Sequence, residues 1–286
     1  MRHGQGLLSA GMVLVGVLAG WLGMATEAYG QAQTVDRSAD PDAAVARPIG
    51  AEPHPFTVEP GRFQLEIEPL NYRYDRHDPD RAAERVQGFE VPVLLKLGVW
   101  AHTDVQIGFD AFVWEQTDDF AAGESDRSRG FGNIELRVKH NLWGNDRGSS
   151  AFAVMPFVAL PTHRHGLDSR AVQGGVMLPY AVELTDQVAV EWTPSFAAVR
   201  NSDDAAYVFE AGQVLVVNYE FIDAWTVFGE FESVVTTESG EGWAGHLGVG
   251  LTWDVHEDLA LEGGVNFGVT RPADDLNFFF AIVRRF

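Results

Sequence analysis

From Gly61 to the last residue, apolar and polar side chains alternate with a period of two, and this constrains the chain more than any other feature. In Phe63-Gln64-Leu65-Glu66-Ile67-Glu68 every second residue is apolar. The pattern returns in Val105-Gln106-Ile107-Gly108-Phe109-Asp110, in Ile134-Glu135-Leu136-Arg137-Val138-Lys139, and in Leu247-Gly248-Val249-Gly250-Leu251-Thr252. Successive side chains on a strand point to opposite faces, so each segment has one oily face and one polar face. Helical periodicity is poor over the same region.

The alternation predicts twelve strands, at about 61–74, 88–101, 104–116, 131–143, 150–160, 172–184, 187–199, 206–220, 225–237, 243–254, 258–270 and 275–286. Short gaps such as His102, Thr185-Asp186 and Val255 to Glu257 alternate with long polar ones: Asp75 to Gln87, Thr117 to Gly130 and Pro161 to Ala171. Short turns at one end and long loops at the other suit an up-and-down membrane barrel. An open sheet edge cannot be satisfied in lipid, so the sheet must close on itself. An even strand number leaves both termini on the periplasmic side. The expected fold is therefore all-β, a twelve-stranded antiparallel transmembrane β-barrel of the bacterial outer membrane spanning 61–286.

Two soluble folds compete. The hairpin repeat of about 40 residues approaches a propeller blade period, and Trp253-Asp254 offers the matching dipeptide. Each period holds two strands rather than four, however, and the dipeptide occurs once. A sandwich would bury the apolar face, which alternation alone does not exclude. Aromatic placement favours the membrane. Trp100, Trp143, Tyr219, Trp225 and Trp253 fall at short-turn ends, and Tyr72, Trp114 and Trp243 toward long-loop ends. Two aromatic girdles flanking an apolar band anchor a barrel at both interfaces. Phe278, Phe280, Ile282 and Phe286 share one parity at the terminus, like the insertion signal that barrel-assembly machinery reads, although Arg284 interrupts it.

The N-terminus reads as an address. Leu7 to Met24 is uncharged, follows Arg2, and is succeeded by small residues at Ala25, Ala28, Gly30 and Ala32. That order is a secretory signal peptide over 1–30, with a retained membrane anchor as the alternative. Residues 31–60 lack periodicity and read as a flexible N-terminal periplasmic segment.

The chain carries 20 Lys+Arg against 41 Asp+Glu, a net −21, and no Cys. The acidity argues against nucleic acid as a partner, and the missing Cys removes disulfides, thiolate metal sites and cysteine nucleophiles. A charge on the lipid face costs about 2–4 kcal/mol near the midplane, so charged positions define the inner face. The predicted lumen lining is Glu66, Glu68, Glu90, Lys96, Asp110, Glu135, Arg137, Lys139, Glu183, Glu191, Glu210, Glu230, Glu232, His246, Asp254 and Glu262, with Arg285. A wall so acidic favours cations; equally, the charges could form a salt-bridge network filling a narrow barrel. Ala153, Met155, Phe157 and Ala159 add an apolar inner stripe, suited to a greasy permeant or an inward-folded plug.

Catalytic motifs are absent: no G-x-S-x-G, no H-E-x-x-H. The His-x-Ser of outer-membrane phospholipases is also missing; His165 and Ser169 have the wrong spacing. No catalytic residue, cofactor or metal is expected. His163 and His165 could share a metal but lack a third ligand. Asp118-Asp119, Asp203-Asp204 and Asp274-Asp275 read as solvated outer-loop charge before calcium ligands.

The run Gly130-Phe131-Gly132-Asn133-Ile134-Glu135-Leu136-Arg137-Val138-Lys139, followed by Leu160-Pro161-Thr162, resembles the outer-membrane transporter family assigned to the MetA pathway of phenol degradation. Asn133 stands where that family usually has Asp, and His163 where it has Gly. The resemblance implies a non-enzymatic outer-membrane channel for small, often aromatic or hydrophobic compounds. A closed structural or surface-interaction barrel is the second expectation, and an outer-membrane hydrolase the third.

Overall fold

The computed structural model describes residues 53–76, 84–146, 148–162, 171–201, 206–238 and 242–286. The expected signal peptide and residues 31–52 lie outside the described residues, as do His163, His165, Ser169 and Asp203-Asp204.

Fourteen strands run in chain order: β1 (Phe63–Arg76), β2 (Glu84–Trp100), β3 (Thr103–Asp119), β4 (Glu124–Gly130), β5 (Ile134–Trp143), β6 (Ser150–Leu160), β7 (Gln173–Met177), β8 (Tyr180–Glu183), β9 (Val188–Arg200), β10 (Tyr207–Ile222), β11 (Trp225–Thr236), β12 (Ala244–His256), β13 (Leu259–Gly268) and β14 (Leu276–Arg285). They fill twelve wall positions. β4 pairs with the outer part of β3, from Val113↔Gly130 to Asp119↔Glu124, while β5 takes the inner part, from Thr103↔His140 to Phe109↔Ile134. β7 and β8 both lie between β6 and β9. The break between them falls at Leu178-Pro179. Proline has no N–H to give the ladder, yet Leu178 N–H still donates to Pro194 O and Ala153 N–H to Pro179 O.

Neighbouring wall positions pair antiparallel, and β1 pairs with β14, so the wall closes into a barrel. At the seam Phe63 and Phe286 exchange backbone hydrogen bonds of 3.2 and 2.8 Å. Their rings stack with centroids 4.6 Å apart.

The alternating burial follows the alternating sequence. Leu95, Leu97, Val105, Ile107, Leu136, Val138, Leu215, Val217 and Val249 are exposed on the outer face. Trp100, Trp143, Tyr219, Trp243 and Trp253 are exposed near strand ends. Trp225 and Trp253 stack almost parallel across β11 and β12. Bulges reset the parity where alternation fails. In β1 the register shifts between Ile67 and Leu70, turning Pro69 and Leu70 both outward. Glu66 and Glu68 before the shift, and Asn71 and Arg73 after it, are then all buried.

The stretch Thr117 to Gly130, expected as a loop, is instead a hairpin of β3 and β4. Its tight turn closes at Gly123, where φ is 70°. Asp118 and Asp119 therefore lie on a strand. Asp118 pairs with Arg85 at 2.6 Å, and Asp119 accepts the N–H groups of Ala121 and Ala122. In this hairpin outside the barrel wall, Arg85, Gln116 and Ser125 hydrogen-bond the Asp118 carboxylate and lower its pKa to about 2. β4 carries no oily face, since it projects past the ring of pairings, and so it lacks the alternation that marks the wall.

The turn between β12 and β13 carries a charge cluster beside the seam. Asp258 accepts from Arg62 at 2.6 Å and from Arg285 at 3.2 Å. Partial burial pushes the Asp258 carboxyl up, but the hydrogen bonds and charges of Arg285 and Arg62 outweigh it and hold it below the ordinary carboxylate range. A carboxyl with a lowered folded pKa stabilises fully above its unfolded value of about 3.9, and that contribution is lost as pH falls through the folded value. Asp258→Asn should therefore lower the unfolding temperature of the detergent-solubilised barrel at pH 7. The gap to the parent should close as pH falls through the lowered value of the Asp258 carboxyl. A gap unchanged at low pH would show that the two arginines draw nothing from the Asp258 charge.

Candidate functional site

The inner surface divides into two chemically different halves. On the side of β1 to β5, buried charges are paired at close range. Lys96 pairs with Glu66, and Arg137 with its strand neighbour Glu135. Arg73 pairs with Glu115 and stands 3.7 Å from Glu90, and Lys139 lies 3.8 Å from Asp104. Amides supply much of the remaining hydrogen bonding: Gln64 donates to Glu66, Asn71 to Glu68 and Gln106 to Asp104. Buried charges cost several kcal/mol each to desolvate, and only such pairing and hydrogen bonding compensates them.

Of the residues expected to line the lumen, Glu66, Glu68, Glu90, Lys96, Asp110, Glu135, Arg137, Lys139, Glu191, Glu230, Glu232, His246, Glu262 and Arg285 are buried. Glu183, Glu210 and Asp254 are half-buried, toward the ends of their strands. The structure brings the members on β1, β2 and β5 into the paired network above, while Asp110 of β3 packs against Gly132. Glu191 meets Asn218 at 3.0 Å and Glu262 meets Thr252 at 3.3 Å. Buried Arg73, Asp104, Gln106 and Asn266, with half-buried Asn277, belong to the same interior or its margin and were missed. Charge parity is blind to amides, and Arg73 changes parity across the Pro69 bulge, for which Pro69 itself was the available signal.

Residues 53–59 depart from the expectation of a flexible segment: they cross the bore at the short-turn end. Pro53 O accepts from Thr193 of β9 at 3.2 Å. His54 O accepts from Lys139 at 3.1 Å, and Pro55 O from Asn141 of β5 at 2.9 Å. Thr57 N–H donates to Asn145 Oδ1 at 2.9 Å, and Val58 N–H to Asp104 of β3 at 3.1 Å. Glu59 lies 3.4 Å from Arg285 of β14. Six of the twelve wall positions from β1, β9 stands opposite it, so the segment spans the barrel from side to side. It is held because its backbone groups, lacking a strand partner, are met by inward polar side chains, as buried amides require. Aperiodic sequence gives no hint of this, since the contacts are to the main chain.

The remaining wall, from β6 to β14, gathers the apolar inner side chains and carries the carboxylates of β9 to β13 among them. Ala151, Ala153, Met155, Phe157 and Ala159 of β6 are buried, and Met155, Phe157, Met177, Ala197 and Val199 form one cluster across β6, β7 and β9. A second cluster joins Val214, Val216, Phe228 and Phe279. Here Phe228, Gly250, Gly264 and Phe279 form one transverse row across β11 to β14. The two phenyl rings fold over the two glycines, filling the space where a Cβ would sit.

The sequence from 201 to 270 contains thirteen Asp and Glu and neither Lys nor Arg. The acidic surplus is thus concentrated on β10 to β13, while the buried cations stand on β1, β2, β5 and β14. Of the Asp pairs, Asp274 is buried near the mouth and Asp275 accepts Arg76 N–H at 3.1 Å.

Solved structures resemble this barrel in fold. An outer membrane channel from Pseudomonas putida F1 matches 82% of this chain and 100% of its own with a TM-score of 0.64 at 11% identity. The NanC porin covers 77% of this chain and 98% of its own, with a TM-score of 0.51 and 11% identity. The transport unit of the autotransporter AIDA-I from Escherichia coli covers 78% and 89%, with a TM-score of 0.51 and 8% identity. No curated protein matches the sequence. The profile of one family, described as "Putative MetA-pathway of phenol degradation", matches residues 46–286.

Gly98 fixes the crossing segment, since a Cβ there would meet the backbone of Val58 and Glu59. Gly98→Ala should displace residues 53–59 at a cost of about 1–3 kcal/mol, the usual range for overpacking. Limited proteolysis of the purified barrel should then cut within 53–59, where the parent resists. Equal resistance in both proteins would refute the packing role.

Proposed function

The chain belongs to this phenol-degradation family, and from that premise we propose that it is a non-enzymatic outer-membrane channel for small solutes with apolar or aromatic bodies. The observation that carries this reading is the pair of apolar clusters on the inner wall, Met155, Phe157, Met177, Ala197 and Val199 across β6 to β9, and Val214, Val216, Phe228 and Phe279 across β10 to β14. A barrel needing only to be filled has no reason to gather its greasy inner side chains on one side and its ion pairs on the other. The likeness in fold to an outer membrane channel supports the same reading.

The exposed apolar band and its aromatic rims point to outer-membrane lipid as the surrounding medium. The terminal strand ending at Phe286 suits delivery by barrel-assembly machinery, which must also register β14 against β1. The residues predicted to line the lumen then act in two groups. Lys96, Arg137 and Lys139 with their carboxylates hold the wall and the crossing segment, and Glu230, Glu232 and Glu262 give the field that favours cations.

The crossing segment favours a second reading, a closed structural barrel, and one measurement separates the two. The purified protein in planar bilayers should give discrete conductance with cations preferred, and Gly98→Ala should raise it. Liposomes carrying the protein should take up an aromatic solute such as phenol faster than empty ones. Absence of both conductance and flux, in the parent and in Gly98→Ala, would leave the closed barrel.

A further inference from the structure

We propose that the acidic wall of β11 to β13 is a binding station for the ammonium group of a small apolar amine, whose body rests on Phe228 and Phe279. The proposal names a ligand class for the lumen and rests on the channel reading only for how the amine arrives.

The station is built by register. Glu230 of β11 stands opposite Gly248 of β12, which stands opposite Asn266 of β13. One step further out, Glu232 stands opposite His246, with Oε2 3.9 Å from Nδ1. Gly248 leaves a gap in the side-chain layer, and the Asn266 amide oxygen fills it from one side with the Glu230 stem on the other. Asn266 is 1% exposed and His246 5%. Among the described residues, none hydrogen-bonds either amide atom of Asn266, His246 Nδ1, or either carboxylate oxygen of Glu232. These polar atoms converge on one patch of wall, on strands that carry no Lys or Arg.

The spacing selects the kind of cation. A metal ion with bonds of about 2.0–2.2 Å draws its ligand atoms tightly together. Among the described residues, the group bringing three such atoms within 4.8 Å of one another is His256, Glu257 and Asp258 in the turn, not the lumenal set. An ammonium reaches each acceptor at about 2.7–2.9 Å and spans a wider set. Phe228 lies two residues from Glu230 on the same face of β11, and the Phe228–Phe279 row adjoins the Glu230–Asn266 row. That step is about 7 Å, the size of a one-ring amine. Aromatic faces also attract a cation directly.

The full-length mature protein in detergent, titrated with benzylammonium chloride and with benzyl alcohol by calorimetry, tests this. The ammonium should bind about tenfold more tightly or better, the worth of charge-assisted over neutral hydrogen bonding. Glu230→Gln with Glu232→Gln should remove that preference, and Asn266→Leu should weaken it while keeping side-chain volume. Equal affinity of the two probes in the parent would overturn the proposal without any variant. So would zinc binding more tightly than benzylammonium at the same carboxylates. A protein that conducts but shows no ammonium preference loses the station and keeps the channel. One that prefers the ammonium through Glu230 and Glu232 yet conducts nothing keeps the station and loses the channel.

Discussion

The hydrogen bonds between β1 and β14 are the constraint on which everything else depends. In hydrocarbon an unpaired backbone amide costs several kcal/mol, so an open strand row of ten residues is not a tolerable surface. The seam removes that row, and the Phe63–Phe286 stack and the Arg62–Asp258–Arg285 cluster stand at its end. Once the sheet is closed, its inner face has a fixed small volume, and every inward side chain must be reconciled with its neighbours. The ion pairs, the stacked rings over glycine and the crossing segment are three solutions to that one problem.

Closure also explains why the interior is sorted. A chain segment crossing the bore needs acceptors and donors along its path, and these come from Asp104, Lys139, Asn141, Asn145 and Thr193. Those groups demand counter-charges, which draws the cations to β2 and β5. The rest of the wall has fewer such demands and can be greasy at Met155, Phe157 and Val199 or acidic at Glu230 and Glu232. Charge that reads as a bulk property of the sequence thus becomes a difference between two sides of one cavity.

The wall was legible in the sequence because the lipid boundary writes itself into it. Twelve strand positions follow from alternation, and Glu66, Lys96, Glu135 and Glu232 are buried where their parity puts them. Where the membrane stops acting, legibility stops too. β4 is exposed along nearly its whole length, so Glu124 to Gly130 shows no pattern to read. Residues 53–59 meet the barrel through backbone groups, which every sequence possesses equally. Asn266 and Asn277 carry no charge, so nothing marks them against the lipid rule, and only register places them beside Glu230 and Arg73.

The crossing segment has a consequence for time. Its partners lie on β2, β3, β5, β9 and β14, so its berth does not exist until the last strand has met the first. Contacts of such wide sequence separation form late, after the entropy of closing the intervening chain has been met. Residues synthesised before any strand of the barrel are therefore the last to reach their place. Until then the short-turn end of the barrel lacks the segment that crosses it.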